Sequence, residues 1–115
     1  MGMSGQDMQA QMYGLTIQLR EEIKMYKKFG LEHAHAKMVY NIAYAKQQMI
    51  EKTNGTAVTL MDKKIKGTEH TAKLAFEMDR KEVFYNTANL AQQATKKEME
   101  YANDRIKEEY YTRGD

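Results

Sequence analysis

The chain has 115 residues, a formal net charge of +2, and no proline, cysteine or tryptophan. Without cysteine it can hold no disulfide framework, no thiolate metal site and no cysteine nucleophile. Near-balanced charge, 18 basic against 16 acidic residues, argues against the charge-driven disorder that so few Leu, Ile, Val and Phe would otherwise suggest. Ten methionines, eight tyrosines and twelve alanines supply the missing apolar surface. The expected core is therefore thin, built from small and flexible side chains, and a domain of this size gains from association.

Residues 1–7 (MGMSGQD) are small and polar and are expected to be disordered. They lack the basic and apolar regions of a signal peptide. Gly2 resembles a myristoylation start, but Gln6 stands where that motif needs Ser or Thr. From Met8 to about Thr53 only Gly14 and Gly30 oppose a helix. Met12, Leu15, Leu19, Ile23 and Tyr26 recur at steps of three and four, one face of a helix. Beyond Gly30 the expected stripe continues as Leu31, Met38, Ile42, Ala45 and Met49, with a bend or a change of packing partner at the glycine. Thr53-Asn54-Gly55 ends the helix.

Residues 54–67 read as a short irregular connector, in which β-branched Thr56, Val58 and Thr59 favour extended backbone and Leu60 to Lys66 form one or two helical turns. Thr68-Glu69 opens a second long helix running to about Tyr111. Its stripe is Leu74, Met78, Tyr85, Ala88, Met99, Ala102 and Ile106, with Phe76, Val83, Leu90, Ala94 and Tyr101 alongside. Polar Lys81, Gln92 and Thr95 interrupt the heptad positions and argue against a strict coiled-coil seam.

The predicted fold is all-α: a single domain over residues 8–115, a long antiparallel helical hairpin with a short irregular connector. A lone pair of helices hides one stripe on each, and both carry more than one, so the hairpin is expected to dimerise into a four-helix bundle.

From about Leu15 to Tyr110 the order of local patterns resembles a family of small helical proteins of tailed phages and prophages of low-GC Gram-positive bacteria. The matching residues are Leu19-Arg20-Glu21-Glu22-Ile23, then Tyr40, Ile42-Ala43 and Ala45-Lys46. Gly55, Val58-Thr59-Leu60 and Lys66-Gly67 follow in the connector, then Tyr85, Ala88 and Ile106-Lys107-Glu108-Glu109-Tyr110. Ala57 departs from the family's proline, and Tyr110 from its frequent tryptophan. The resemblance implies the helix–connector–helix layout, a gene in the early, replication and recombination region, and the cytoplasm of a bacterial host. It implies no activity, because none of the matching motifs is catalytic.

The residues themselves offer little chemistry. Glu32 and His35 form one Glu-x-x-His, the unit that di-iron bundles use twice. The second helix supplies Glu69, His70 and Glu77 but no second copy, and His33 and His35 point about 200° apart. Glycine patterns for nucleophile elbows, phosphates or dinucleotides are missing. The expectation is a non-enzyme with no cofactor and no metal.

Charge is more informative. The connector carries Lys63, Lys64 and Lys66 against Asp62 alone, and a second cluster is Lys24, Lys27 and Lys28, interleaved with Tyr26 and Phe29. Basic residues beside aromatic rings are what single-stranded nucleic acid requires. Tyr26 and Phe29 also fall where the core stripe would bury them. The preferred reading is a helical interaction protein, an adaptor or inhibitor, that binds a phage or host protein and pairs with itself. The alternative is a nucleic-acid-binding accessory of phage replication or recombination. The expected packing interface is Leu15, Leu19, Ile23, Met38, Ile42 and Met49 on the first helix, facing Leu74, Met78, Tyr85, Met99 and Ile106 on the second. A secreted ESAT-like hairpin matches in length but carries a Trp-x-Gly turn, which a chain without tryptophan cannot make.

Overall fold

In a computed structural model, residues 5–113 are described, with side chains to Tyr111. They form three helices and no strand: α1 (Gly5–Thr53), α2 (Val58–Lys66) and α3 (Glu69–Arg113). Gly5, Gln6 and Asp7 are already helical, and the rest of the segment expected to be disordered lies outside the described residues.

Two compact units divide the chain. One combines α1 up to Lys27 with α3 from Asn86 onward, and the other is the stretch Lys28–Tyr85, containing α2. In the first unit the covered positions of α1 are Met8, Met12, Leu15, Leu19, Glu22 and Tyr26. In the second they are Phe29, His33, Ala36, Tyr40, Ala43 and Gln47, in the same alternation of four and three residues. Leu31, Met38, Ile42, Ala45 and Met49, expected to continue the stripe, are exposed instead. The heptad does not shift at Gly30; it passes through smaller, aromatic and polar residues that a search for large aliphatic side chains steps over.

The covered row of α3 alternates steps of three and four without a break. In the second unit it is Thr71, Leu74, Met78, Lys81 and Tyr85; in the first, Ala88, Gln92, Thr95, Met99, Ala102 and Ile106. Lys81, Gln92 and Thr95 therefore do not interrupt the seam but belong to it. Each has a partner that offsets its desolvation. Lys81 Nζ lies 3.2 Å from Glu32 Oε2, Gln92 donates to Asn89 at 2.9 Å, and Thr95 donates to Glu22 and accepts from Gln18 at 3.2 Å. Among the described residues no buried side-chain nitrogen or oxygen lacks a partner.

Within the second unit the helices run antiparallel: Phe29 meets Phe84 at 5.7 Å between ring centroids, and Glu32 meets Lys81. Gly30 continues α1 unbroken and leaves room for Tyr85, whose Cε1 would stand 3.0 Å from a Cβ added at the glycine.

The connector is more ordered than expected. Gly55 takes φ +77, the Thr56 N–H reaches the Glu51 carbonyl, and the Gly55 N–H reaches that of Lys52. This is a Schellman cap, which satisfies carbonyls that the end of α1 would leave open. Only Thr56 and Ala57 escape helix between Gly55 and α2, so Val58 and Thr59 are helical rather than extended. Burial decides against β propensity there: α2 turns Met61 and Ile65 inward, Ile65 with no exposed surface. Thr68 stands just before α3, its hydroxyl donating to the Ile65 carbonyl at the end of α2 at 2.7 Å and lying 2.8 Å from that of Thr71.

Candidate interaction surface

The connector lysines are held by carboxylates of the same unit. Glu51, almost fully buried, accepts from Thr56 at 2.6 Å and from Gln47 at 3.0 Å, with Lys64 Nζ at 3.5 Å. These bonds, Thr56 first, pull its carboxyl below the ordinary range. Lys66 pairs with Asp62 at 3.1 Å, and Asp62 also accepts from the Tyr44 hydroxyl at 2.5 Å. The tyrosine bond, then Lys66, lowers the Asp62 pKa, while Asp62 raises those of Tyr44 and Lys66. Lys63 is exposed. Two of the three connector lysines thus fasten α2 to α1 or to itself.

In the second basic cluster Lys24 pairs with Glu21 at 3.1 Å, and Lys27 and Lys28 are exposed. Tyr26 and Phe29 are half-buried in the seam rows rather than set out beside the lysines. The juxtaposition of bases with free ring faces does not form.

The candidate metal residues also separate. The His33 ring lies tilted beside that of Tyr85 at 5.9 Å between centroids, whereas His35 is exposed. Glu32 faces Lys81, and Glu77 faces Arg80 at 2.9 Å. Among the described residues no three His, Asp or Glu side chains gather as metal ligands would. Among the described residues there are shallow grooves along helices, one of them between α1 and α3 at Leu31, His35, Val39 and Leu74.

Of the expected packing residues, Leu15 is buried, and Leu19, Ile23, Leu74, Met78, Tyr85, Met99 and Ile106 are half-buried. Met38, Ile42 and Met49 are 51%, 49% and 70% exposed, and Leu31 74%. They sit two residues beyond seam positions, about 200° round the helix, so Met38, Ile42 and Met49 look away from α3, while Leu31 also borders the groove it shares with Leu74. On α3 Phe76 and Val83 are likewise 65% and 60% exposed. The sequence marked all of these as apolar at helical spacing; only the pairing of the helices tells which stripe is spent inside.

Among the described residues no helix is long and apolar enough to cross a membrane. Comparison with known protein families, with curated proteins and with solved structures finds no match to this chain.

Proposed function

We propose that the chain is a non-enzymatic helical interaction protein of phage or prophage origin, an adaptor or inhibitor that works by protein–protein binding as a homodimer in the host cytoplasm. The observation that carries this reading is the second apolar stripe on the outside of each helix: Leu31, Met38, Ile42 and Met49 on α1, Phe76 and Val83 on α3. Scattered exposed apolar residues are ordinary, but a row at heptad spacing on a helix is the form in which helices bind one another. Grooves this shallow offer a small-molecule substrate little enclosure.

Sedimentation equilibrium of the full chain tests the reading. The expected mass at micromolar concentration is that of two protomers, and a single-protomer mass would remove the homodimer. The nucleic-acid alternative has its own arm. A mobility shift with single- and double-stranded DNA at low salt, abolished by changing Lys63, Lys64 and Lys66 to Ala and by salt above about 0.2 M, would establish it. The pairing of Lys64 and Lys66 within the chain favours no shift.

A further inference from the structure

The outer stripe of α1 carries one sign of charge. Between residues 28 and 53 the exposed charged side chains are Lys28, Lys37, Lys46 and Lys52. The acids of this stretch, Glu32 and Glu51, are turned inward to Lys81 and to the Thr56–Lys64 side of the connector. An apolar row of Leu31, Met38, Ile42 and Met49 is therefore bounded by lysines at both ends and on both flanks, and a shallow groove at Ala34, Met38 and Ala45 runs along it. A second copy of this same face would oppose lysine to lysine, which disfavours symmetric α1-to-α1 pairing.

The opposite pattern lies near the end of α3. Residues 98–111 hold five acids against Arg105 and Lys107. Tyr101 and Tyr111 are 69% and 72% exposed, and Asp104 and Glu108 lie between them at steps of three and four. These four also stand two residues beyond seam positions and so face away from α1. Tyrosines supply rigid apolar area, and the acids match a lysine border.

We infer that the lysine-bordered outer face of α1 docks the acidic, tyrosine-bearing outer face of α3 from a second copy of the chain. This rests on the reading of the protein as a self-associating interaction protein and names the surfaces involved. The contact joins two different patches, and in a two-fold dimer it occurs twice. Met38 and Met49 adapt to the tyrosine rings, while Lys37 and Lys46 meet carboxylates such as Glu100 and Asp104.

Charge reversal with rescue tests it, read by sedimentation and with circular dichroism confirming that every variant stays helical. Changing Lys37→Glu with Lys46→Glu should weaken self-association by about tenfold or more, and Glu100→Lys with Asp104→Lys should do the same. A chain carrying all four changes should associate as the wild type does, as should an equimolar mixture of the two double variants. Wild-type chains that associate, but indifferently to these changes or without rescue, would overturn the assignment and leave the interaction reading standing. Wild-type chains that remain single protomers would overturn both. Single protomers that instead float with phosphatidylglycerol vesicles would assign the α1 face to a lipid surface and overturn it too.

Discussion

Gly30 on α1 lies under the ring of Tyr85 on α3, so close that a Cβ there would stand 3.0 Å from Cε1. Gly14, on the same helix, has nothing within 4 Å of the equivalent point. Replacing glycine by alanine inside a helix gains about 0.8–1 kcal/mol of propensity. Gly14→Ala should realise that gain, raising the melting temperature by about 4 °C. Gly30→Ala should not, because the ring must give way and it also packs against His33. Thermal melts followed by circular dichroism compare the two; equal stabilisation would show that the Tyr85 contact constrains nothing.

The same glycine shows what the sequence carried and what it withheld. That both long segments are helices was legible, because nothing in them but isolated glycine opposes helix and no proline occurs. The α3 stripe from Leu74 to Ile106 was legible as well. Which of two stripes on α1 faces α3 was not, because Leu31, Met38, Ile42 and Met49 are more apolar than Ala36, Tyr40, Ala43 and Gln47. Only the partner helix decides, by pairing Phe29 with Phe84 and Glu32 with Lys81. Polar seam residues were misread for the same reason: Thr95 is unfavourable alone and acceptable beside Gln18 and Glu22, which stand 77 and 73 residues away. The basic connector was visible as a cluster; the pairing of Lys64 with Glu51 depends on how the chain turns at Gly55, whereas Lys66 and Asp62 are four apart on α2 and need only that the segment be helical.

Ile65 anchors α2, with no surface exposed. Ile65→Ala should cost about 2–4 kcal/mol, the range for removing a buried aliphatic side chain and leaving a cavity. Leu60→Ala, on the same helix but 58% exposed, should change stability by less than about 0.5 kcal/mol. Urea denaturation separates the two. Similar losses would mean that α2 packs on a different face.

Acid should loosen the connector. Hydrogen bonds hold the Glu51 and Asp62 carboxyls below their ordinary pKa in the folded chain. A depressed folded pKa means that unfolding takes up protons in acid, so the stabilisation is complete above the unfolded carboxylate range. It is lost as pH falls through about 4 toward the folded values. The urea midpoint should hold steady from neutral pH to about pH 5 and fall below it. Glu51→Gln, which cannot titrate, should lower the midpoint at neutral pH and flatten the acid limb. An acid limb as steep as that of the wild type would mean that Glu51 contributes nothing to it.

Thr95, 2% exposed, is a buried polar point of the seam, giving its proton to Glu22 and accepting one from Gln18. Thr95→Val keeps the shape but removes both bonds and leaves the Glu22 carboxylate facing a methyl group. A cost of about 1–3 kcal/mol is expected, the penalty of an unsatisfied polar group rather than of lost packing. Pairing it with Glu22→Leu removes the orphaned carboxylate, so the double variant should recover most of that loss and can exceed the wild type. A double-mutant cycle should then give a coupling of about 1 kcal/mol or more; additive losses would show that the two side chains act independently. The recovered stability should carry a cost in specificity. Apolar residues at both positions remove a polar side-chain match that helps to fix the register of the seam. The double variant should therefore show broadened amide resonances along Leu15–Tyr26 even where its melting temperature has risen.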